Sequence, residues 1–249
     1  MRLVSANVNG IRAAVRRGGV EWLAAQEADV ICLQEVRATD QQLAGALGDT
    51  FQGWHLAHRP SAVRLGHAGV TILSRKPLQV TQDLGCADDE GRWVATRIGD
   101  LEIASVYVHT GQADTPAQDD KHRFLDAMGK WMEQRSPALV CGDLNVAHQQ
   151  ADIKNWRGNV GKAGFLESER AYLTQWYDDL GWIDLGRDAG FTWWSWRGKA
   201  FDNDAGWRID CVLASPDLAP VCRTFEVGRA PTYADRWSDH APVTVVLDW

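Results

Sequence analysis

Eight short apolar runs rich in β-branched residues punctuate the chain, at Leu3–Val8, Val30–Leu33, Val70–Leu73, Val94–Ile98, Ile103–Val108, Ala138–Cys141, Ile209–Leu213 and Val243–Leu247. Their length and near-continuous hydrophobicity predict strands buried on both faces. Two other stretches carry apolar residues at helical spacing. Between Thr115-Pro116 and Ser136-Pro137 the apolar positions are Phe124, Leu125, Met128, Trp131 and Met132, which predicts a helix bounded by those prolines. A second helix is predicted from about Ser168, with Leu173, Trp176, Tyr177 and Leu180 on one face and Gly181 as terminator. Doubly buried strands need cover on both sides. The pattern therefore implies an α/β protein in which two packed, mainly antiparallel β-sheets are flanked by helices.

No fixed-period repeat or Pro/Gly/Ser-rich linker interrupts the 249 residues, so a single domain spanning 1–249 is expected. With 45% hydrophobic and 24% charged residues the composition excludes intrinsic disorder, and a chain this long buries roughly 70–75% of its unfolded surface. No apolar run approaches the roughly 18–20 residues of a membrane-spanning helix. Met1–Asn7 lacks the apolar core of a signal peptide, so a soluble, cytoplasmic protein is expected. A monomer is also expected. Cys32, Cys86, Cys141, Cys211 and Cys222 are odd in number and mostly embedded in strand-like runs, which reads as reduced core thiols. The formal net charge of −7 excludes a protein that coats nucleic acid by bulk positive charge. Any phosphate-binding site must be local.

The polar residues at the ends of the apolar runs are more informative. Asn7, Glu35, Tyr107 and Asp143–Asn145 follow strand candidates, whereas Asp210 and Asp239-His240 stand at or before the starts of others. If the two groups of strands run in opposite directions, these side chains meet at one edge of the sandwich. Carboxylates so crowded repel and are costly to desolvate, which calls for a divalent cation. Oxygen donors such as Glu35 suit Mg²⁺ or Mn²⁺ better than zinc. Each motif alone has a blander reading. Glu35 could be a solvated strand end, Gly142-Asp143-Leu144-Asn145 an Asx-turn, Asp210 a surface partner of Arg208, and His240 a structural imidazole. Together they outline an acid, its amide neighbour and an acid-oriented imidazole. Of 13 tryptophans most are expected in the core, but Trp193, Trp194, Trp196 and Trp207 cluster just before Asp210 and suit a pocket wall. Arg12, Arg16 and Arg17, and Lys154, Arg157 and Lys162, form two basic groups flanking the proposed edge.

The ordered strings Asn7-Val8-Asn9-Gly10-Ile11-Arg12, Leu33-Gln34-Glu35, Gly142-Asp143-Leu144-Asn145-Val146-Ala147-His148, Thr192-Trp193-Trp194, Trp207-Arg208-Ile209-Asp210 and Ser238-Asp239-His240-Ala241-Pro242 resemble the exonuclease III family of apurinic/apyrimidinic endonucleases. The resemblance covers essentially the whole chain. It implies a four-layer α/β sandwich and a Mg²⁺- or Mn²⁺-dependent DNA-repair phosphodiesterase that cuts 5′ to abasic sites. It also implies 3′ to 5′ exonuclease and 3′-end-trimming activity, with duplex DNA bearing abasic sites or blocked 3′ ends as partner, met at the nucleoid. Carried over residue by residue, it assigns metal binding to Asn7, Glu35 and Asp239, and catalysis to Tyr107, Asp143, Asn145, Asp210 and His240. DNA contact falls to Arg12, Lys121, Asn155, Asn159, Trp193, Trp207 and Ile209. The chain departs from the family pattern after Tyr107, where Val108-His109-Thr110-Gly111 replaces the usual Pro-Asn-Gly turn and makes His109 a candidate phosphate contact. Two alternatives remain open at this point. One is a related phosphoesterase acting on RNA or a small phosphorylated substrate, and the other is a lesion-binding protein without turnover.

Overall fold

The structure is a computed structural model that describes residues 1–81, 83–85 and 89–249. In chain order the elements are β1 (Arg2–Asn7), α1 (Ile11–Val15), α2 (Gly19–Ala24), β2 (Val30–Gln34), α3 (Asp40–Leu47), β3 (His55–Arg59), β4 (Val70–Ser74), β5 (Gln79–Val80), β6 (Trp93–Ile98), β7 (Leu101–Tyr107), α4 (Pro116–Glu133), β8 (Ala138–Asp143), α5 (Glu167–Asp178), β9 (Ile183–Asp184), β10 (Asp210–Ala214), β11 (Cys222–Val227) and β12 (Val243–Leu247). Among the described residues they form two six-stranded sheets, ordered β11-β12-β1-β2-β4-β3 and β5-β6-β7-β8-β10-β9. Each sheet is antiparallel except at its centre, where β1 runs parallel to β2 and β7 parallel to β8. A parallel pair needs a crossover of a dozen or more residues. Helices α1 and α2 lie in the first crossover and α4 in the second.

All eight apolar runs of the sequence are strands or parts of strands, and both expected helices are α4 and α5. Strands β3, β5, β9 and β11 were not legible in the pattern. Nor were the short helices α1 to α3. The central strands β2, β4, β7, β8 and β10 are buried along their whole length. One face of each sheet contributes to the core between them, where Leu3, Cys32 and Ile72 meet Ile103, Cys141 and Val212. The outer face of the first sheet (Val4, Ile31, Leu33) packs on Ile11, Ala14, Leu23, Leu43 and Leu47 from α1 to α3. The outer face of the second (Ala104, Val106, Val140) packs on Phe124, Leu125, Met128, Leu173 and Trp176 from α4 and α5. Helix, sheet, sheet and helix make four layers. Cys32, Cys141 and Cys211 are buried free thiols, Cys222 is half-buried on the edge strand β11, and Cys86 lies outside the described residues. Among the described residues no helix is long and apolar enough to cross a membrane.

Candidate active site

Strand direction brings the polar ends together as the sequence implies. Asn7 pairs with Gln34 at the ends of parallel β1 and β2, which delivers Glu35 one residue further on. Tyr107 pairs with Asp143 at the ends of parallel β7 and β8, and Asp210, at the start of antiparallel β10, stands opposite the same Asp143. The backbone permits this only through a glycine. Gly142 has φ +146°, and a Cβ there would lie 2.0 Å from the Val106 carbonyl oxygen.

Asp143 is the most heavily bonded acid of the group. Its Oδ1 accepts from the Asn145 backbone N–H at 2.9 Å, and its Oδ2 accepts from Asn7 Nδ2 at 3.0 Å and Asn145 Nδ2 at 3.3 Å. Burial raises its pKa, as do Asp210 and Glu35, while His240 and the Asn145 N–H oppose the rise, and the result is about 7. In a site without a cation the carboxyl is thus poised to take or release a proton near neutrality.

His240 answers it. Its Nδ1 lies 3.1 and 2.8 Å from the two oxygens of Asp210, and its Nε2 points back to within 3.8 Å of Asp143 Oδ2. Burial alone would lower the imidazole pKa, but Asp210 and Asp143 outweigh it and raise the value to about 10. The ring is an imidazolium at neutral pH. Two hydroxyls fix its frame. Thr192 Oγ1 accepts from the Ile209 and Asp210 N–H groups at 3.1 and 3.0 Å. Ser238 Oγ donates to the Asn7 carbonyl at 2.7 Å and accepts from the His240 N–H at 3.2 Å.

Glu35 forms the opposite wall. Its carboxylate pairs with the Arg37 guanidinium and shares the cavity wall with Tyr107. Burial, with Glu35 and Asp143 nearby, pushes the phenol pKa well up, so Tyr107 stays a neutral donor. Asp239 accepts from Asn9 Nδ2 at 2.6 Å and from Trp193 Nε1 at 3.1 Å. Asn9, Glu35, Arg37 and Asn145 all adopt left-handed backbone angles, with φ between 45° and 52°. Such angles cost roughly 1–2 kcal/mol for most residues and cluster where function demands them.

These groups line a cavity of about 340 Å³ that includes Glu35, Tyr107, Asp143, Asn145, Asp239 and His240, with Trp193, Trp207 and Ile209 as its apolar side. The two indoles stand edge to face, with centroids 6.2 Å apart and planes at 88°. Gly164 lets the next loop close on Trp207, since a Cβ there would sit 2.9 Å from the ring. Four carboxylates at the site, Glu35, Asp143, Asp210 and Asp239, are only partly balanced by Arg37 and His240. Ligand atoms of Asp143, Asp210 and His240 lie within 4.8 Å of one another, close enough to hold a metal ion. His240, however, carries a proton and spends Nδ1 on Asp210, which makes it a poor ligand. The hard oxygen donors of Glu35 and Asp239 fit a hard divalent cation better. Asn7 sits one layer behind the cavity, where its amide holds Asp143 and its Oδ1 accepts from the Asn9 N–H at 3.0 Å.

The Endonuclease/Exonuclease/phosphatase family model matches residues 4–240. The chain belongs to that family. It is 32% identical to the exodeoxyribonuclease of Bacillus subtilis strain 168 over 262 residues, covering 100% of both chains. Among solved structures, an AP endonuclease from Archaeoglobus fulgidus superposes with a TM-score of 0.89 at 25% identity, covering 100% of both chains. The 3′ phosphatase NExo from Neisseria, bound to a product DNA hairpin, superposes with a TM-score of 0.86 at 28% identity, again over 100% of both.

Against this family background, eleven of the residues singled out from the sequence meet at one place. Nine line the cavity, and Asn7 and Asp210 stand directly behind it. Arg12, Asn155 and Asn159 lie outside the cavity lining, with Arg12 and Asn155 exposed and Asn159 half-buried. Lys121 departs from the expected DNA contact. It is fully buried on α4, paired with Glu169, and no phosphate can reach it there. His109 also departs from expectation. It faces a neighbouring cavity beside Glu90, Arg92 and Phe124, and burial, then Arg92, holds its pKa down at about 4. Asn9, Arg37, Thr110, Thr192 and Ser238 join the site without a role expected from the sequence. Asn9, Thr192 and Ser238 lay within the quoted strings, and Arg37 followed Glu35 by two positions.

Proposed function

We propose that residues 1–249 act as one catalytic domain that hydrolyses DNA phosphodiesters 5′ to abasic sites, with 3′ to 5′ exonuclease and 3′-end-trimming activity on the same site. The observation that carries this reading is the juxtaposition of a proton-accepting Asp143, an imidazolium at His240 and an apolar slot between Trp193, Trp207 and Ile209. Glu35 and Asp239, with Asn7 behind, would hold Mg²⁺ or Mn²⁺. When bound, such a cation supplies charge neutralisation at the scissile phosphate and eases ionisation of nearby water. The chain's own groups do the rest. Asp143 takes the proton of the attacking water, held in orientation by Asn7 and Asn145. The His240 Nε2–H and the neutral Tyr107 hydroxyl stabilise charge building on phosphate oxygens. Asp210 keeps the imidazole protonated and aimed.

An unpaired deoxyribose costs less to extrude than a stacked nucleotide and fits a slot with little hydrogen-bonding capacity. Arg12, Asn155 and Asn159 are proposed contacts to the flanking strand, where backbone contacts set register. The test is an end-labelled duplex with one stable abasic analogue, incubated with Mg²⁺ or with a chelator. A single metal-dependent cut on the 5′ side leaving a 3′-hydroxyl is expected. Digestion from 3′ ends alone would make the chain an exonuclease, and no cutting of DNA at all would overturn the proposal.

A further inference from the structure

Lys121 and Glu169 form an ion pair at 2.7 Å between α4 and α5 in which both side chains are 0% exposed. The ammonium has three protons and three acceptors: Glu169, the Thr110 carbonyl at 3.2 Å and the Asn145 carbonyl at 2.9 Å. Glu169 in turn accepts from Gln118 Nε2 at 2.9 Å and from the Leu166 backbone N–H at 3.0 Å. One buried charge pair therefore ties the loop after β7 to both ends of the long segment that joins β8 to α5. Both loops supply the cavity wall, the first through Thr110 and the second through Asn145 and Gly164. Asn145 needs such a tie. It holds a left-handed backbone, φ 49°, while its Nδ2 donates to the Val108 carbonyl at 2.9 Å.

A buried ion pair is weak evidence of a stabilising device, because a neutral pair of similar volume often folds as well. What a neutral pair cannot supply is three directed donors between those carbonyls. We infer that Lys121, braced by Glu169, is a positioning residue that holds Asn145 in register with Asp143 without touching substrate. The inference rests on the nuclease reading above.

The test is a double-mutant cycle on abasic duplex with Mg²⁺, using the full chain. Lys121→Met with Glu169→Gln removes the charges but keeps an acceptor for the Leu166 N–H. Lys121→Leu with Glu169→Gln, which likewise leaves no donor at position 121, makes the same measurement if the first pair fails to fold. Thermal unfolding shows which pair is folded. The folded pair is expected to lower kcat by about tenfold and to leave KM within about twofold. In an Asn145→Ala background the same pair is expected to lower kcat by less than about twofold, because contacts acting through one residue are not additive. An undiminished penalty in that background, or none in the parent, overturns the inference while the nuclease reading stands. A parent chain that cuts no abasic DNA overturns both.

Discussion

His240 Nε2 and Asp143 Oδ2 lie 3.8 Å apart across the floor of the cavity, with Asp210 bound to the far nitrogen of the same ring. Two buried carboxylates thus bracket one proton-bearing imidazole, and its charge is available to a phosphate placed between the strand ends. Removing it takes away electrostatic stabilisation that the ground state uses little. His240→Ala is expected to lower kcat by about 10²- to 10³-fold with KM changed only a few-fold. Steady-state kinetics on abasic duplex would check this, and turnover near the parent's would remove His240 from the mechanism.

The apolar wall should govern selectivity more than rate. Trp207 is half-buried, packs edge to face on Trp193, and is backed by Gly164. Trp207→Ala opens the slot while sparing the backbone bonds of Trp207 to Thr192 and Trp193. The ratio of kcat/KM on abasic duplex to that on intact 3′ ends is expected to fall by about tenfold or more. A constant ratio would mean that selectivity arises elsewhere.

Most of this site was legible in the sequence because its residues sit at the ends of long apolar strands, where periodicity is strongest. The elements that escaped notice lack that signal. Strand β3 (His55-Leu56-Ala57-His58-Arg59) is partly exposed and polar, β11 is an edge strand, and β5 and β9 have two residues each. Helix α3 had a usable signal, since Thr39 and Gln42 form a reciprocal capping box. Lys121 was misread for a reason the helix itself displays. It stands three, four and seven positions before Phe124, Leu125 and Met128, on the buried stripe of α4. Its partner Glu169 comes from another helix, so only the tertiary fold shows that the charge is paired. Arg37 and Thr110 lie in loops whose course no local pattern specifies.

Gly142 offers a test of how the strand end is built. With φ +146° and a virtual Cβ 2.0 Å from Val106 O, even Ala forces β7 and β8 apart at Tyr107 and Asp143. Gly142→Ala is expected to cost about 3 kcal/mol or more of folding stability, read from denaturant unfolding. A loss below about 1 kcal/mol would show that the ladder yields cheaply there.

The pH dependence of stability carries a signature of His109. Burial and Arg92 hold its folded pKa at about 4, below the ordinary value of 6.5, despite Glu90 nearby. Between those values the unfolded chain binds more protons than the folded one, so stability rises with pH and is lost as pH falls from 6.5 toward 4. His109→Gln should flatten this part of the unfolding free energy against pH. An unchanged slope would assign the acid loss to other groups, such as His67 and His148, whose pKa values burial also lowers.

In the proposed mechanism Asp143 moves the proton of the attacking water. The most direct measurement is the single-turnover cleavage rate of Asp143→Asn on abasic duplex with saturating Mg²⁺, paired with the DNA dissociation constant in chelator. A rate loss of about 10³-fold or more is expected, with affinity within about threefold of the parent. Cleavage within about tenfold of the parent rate, at unchanged affinity, would contradict it.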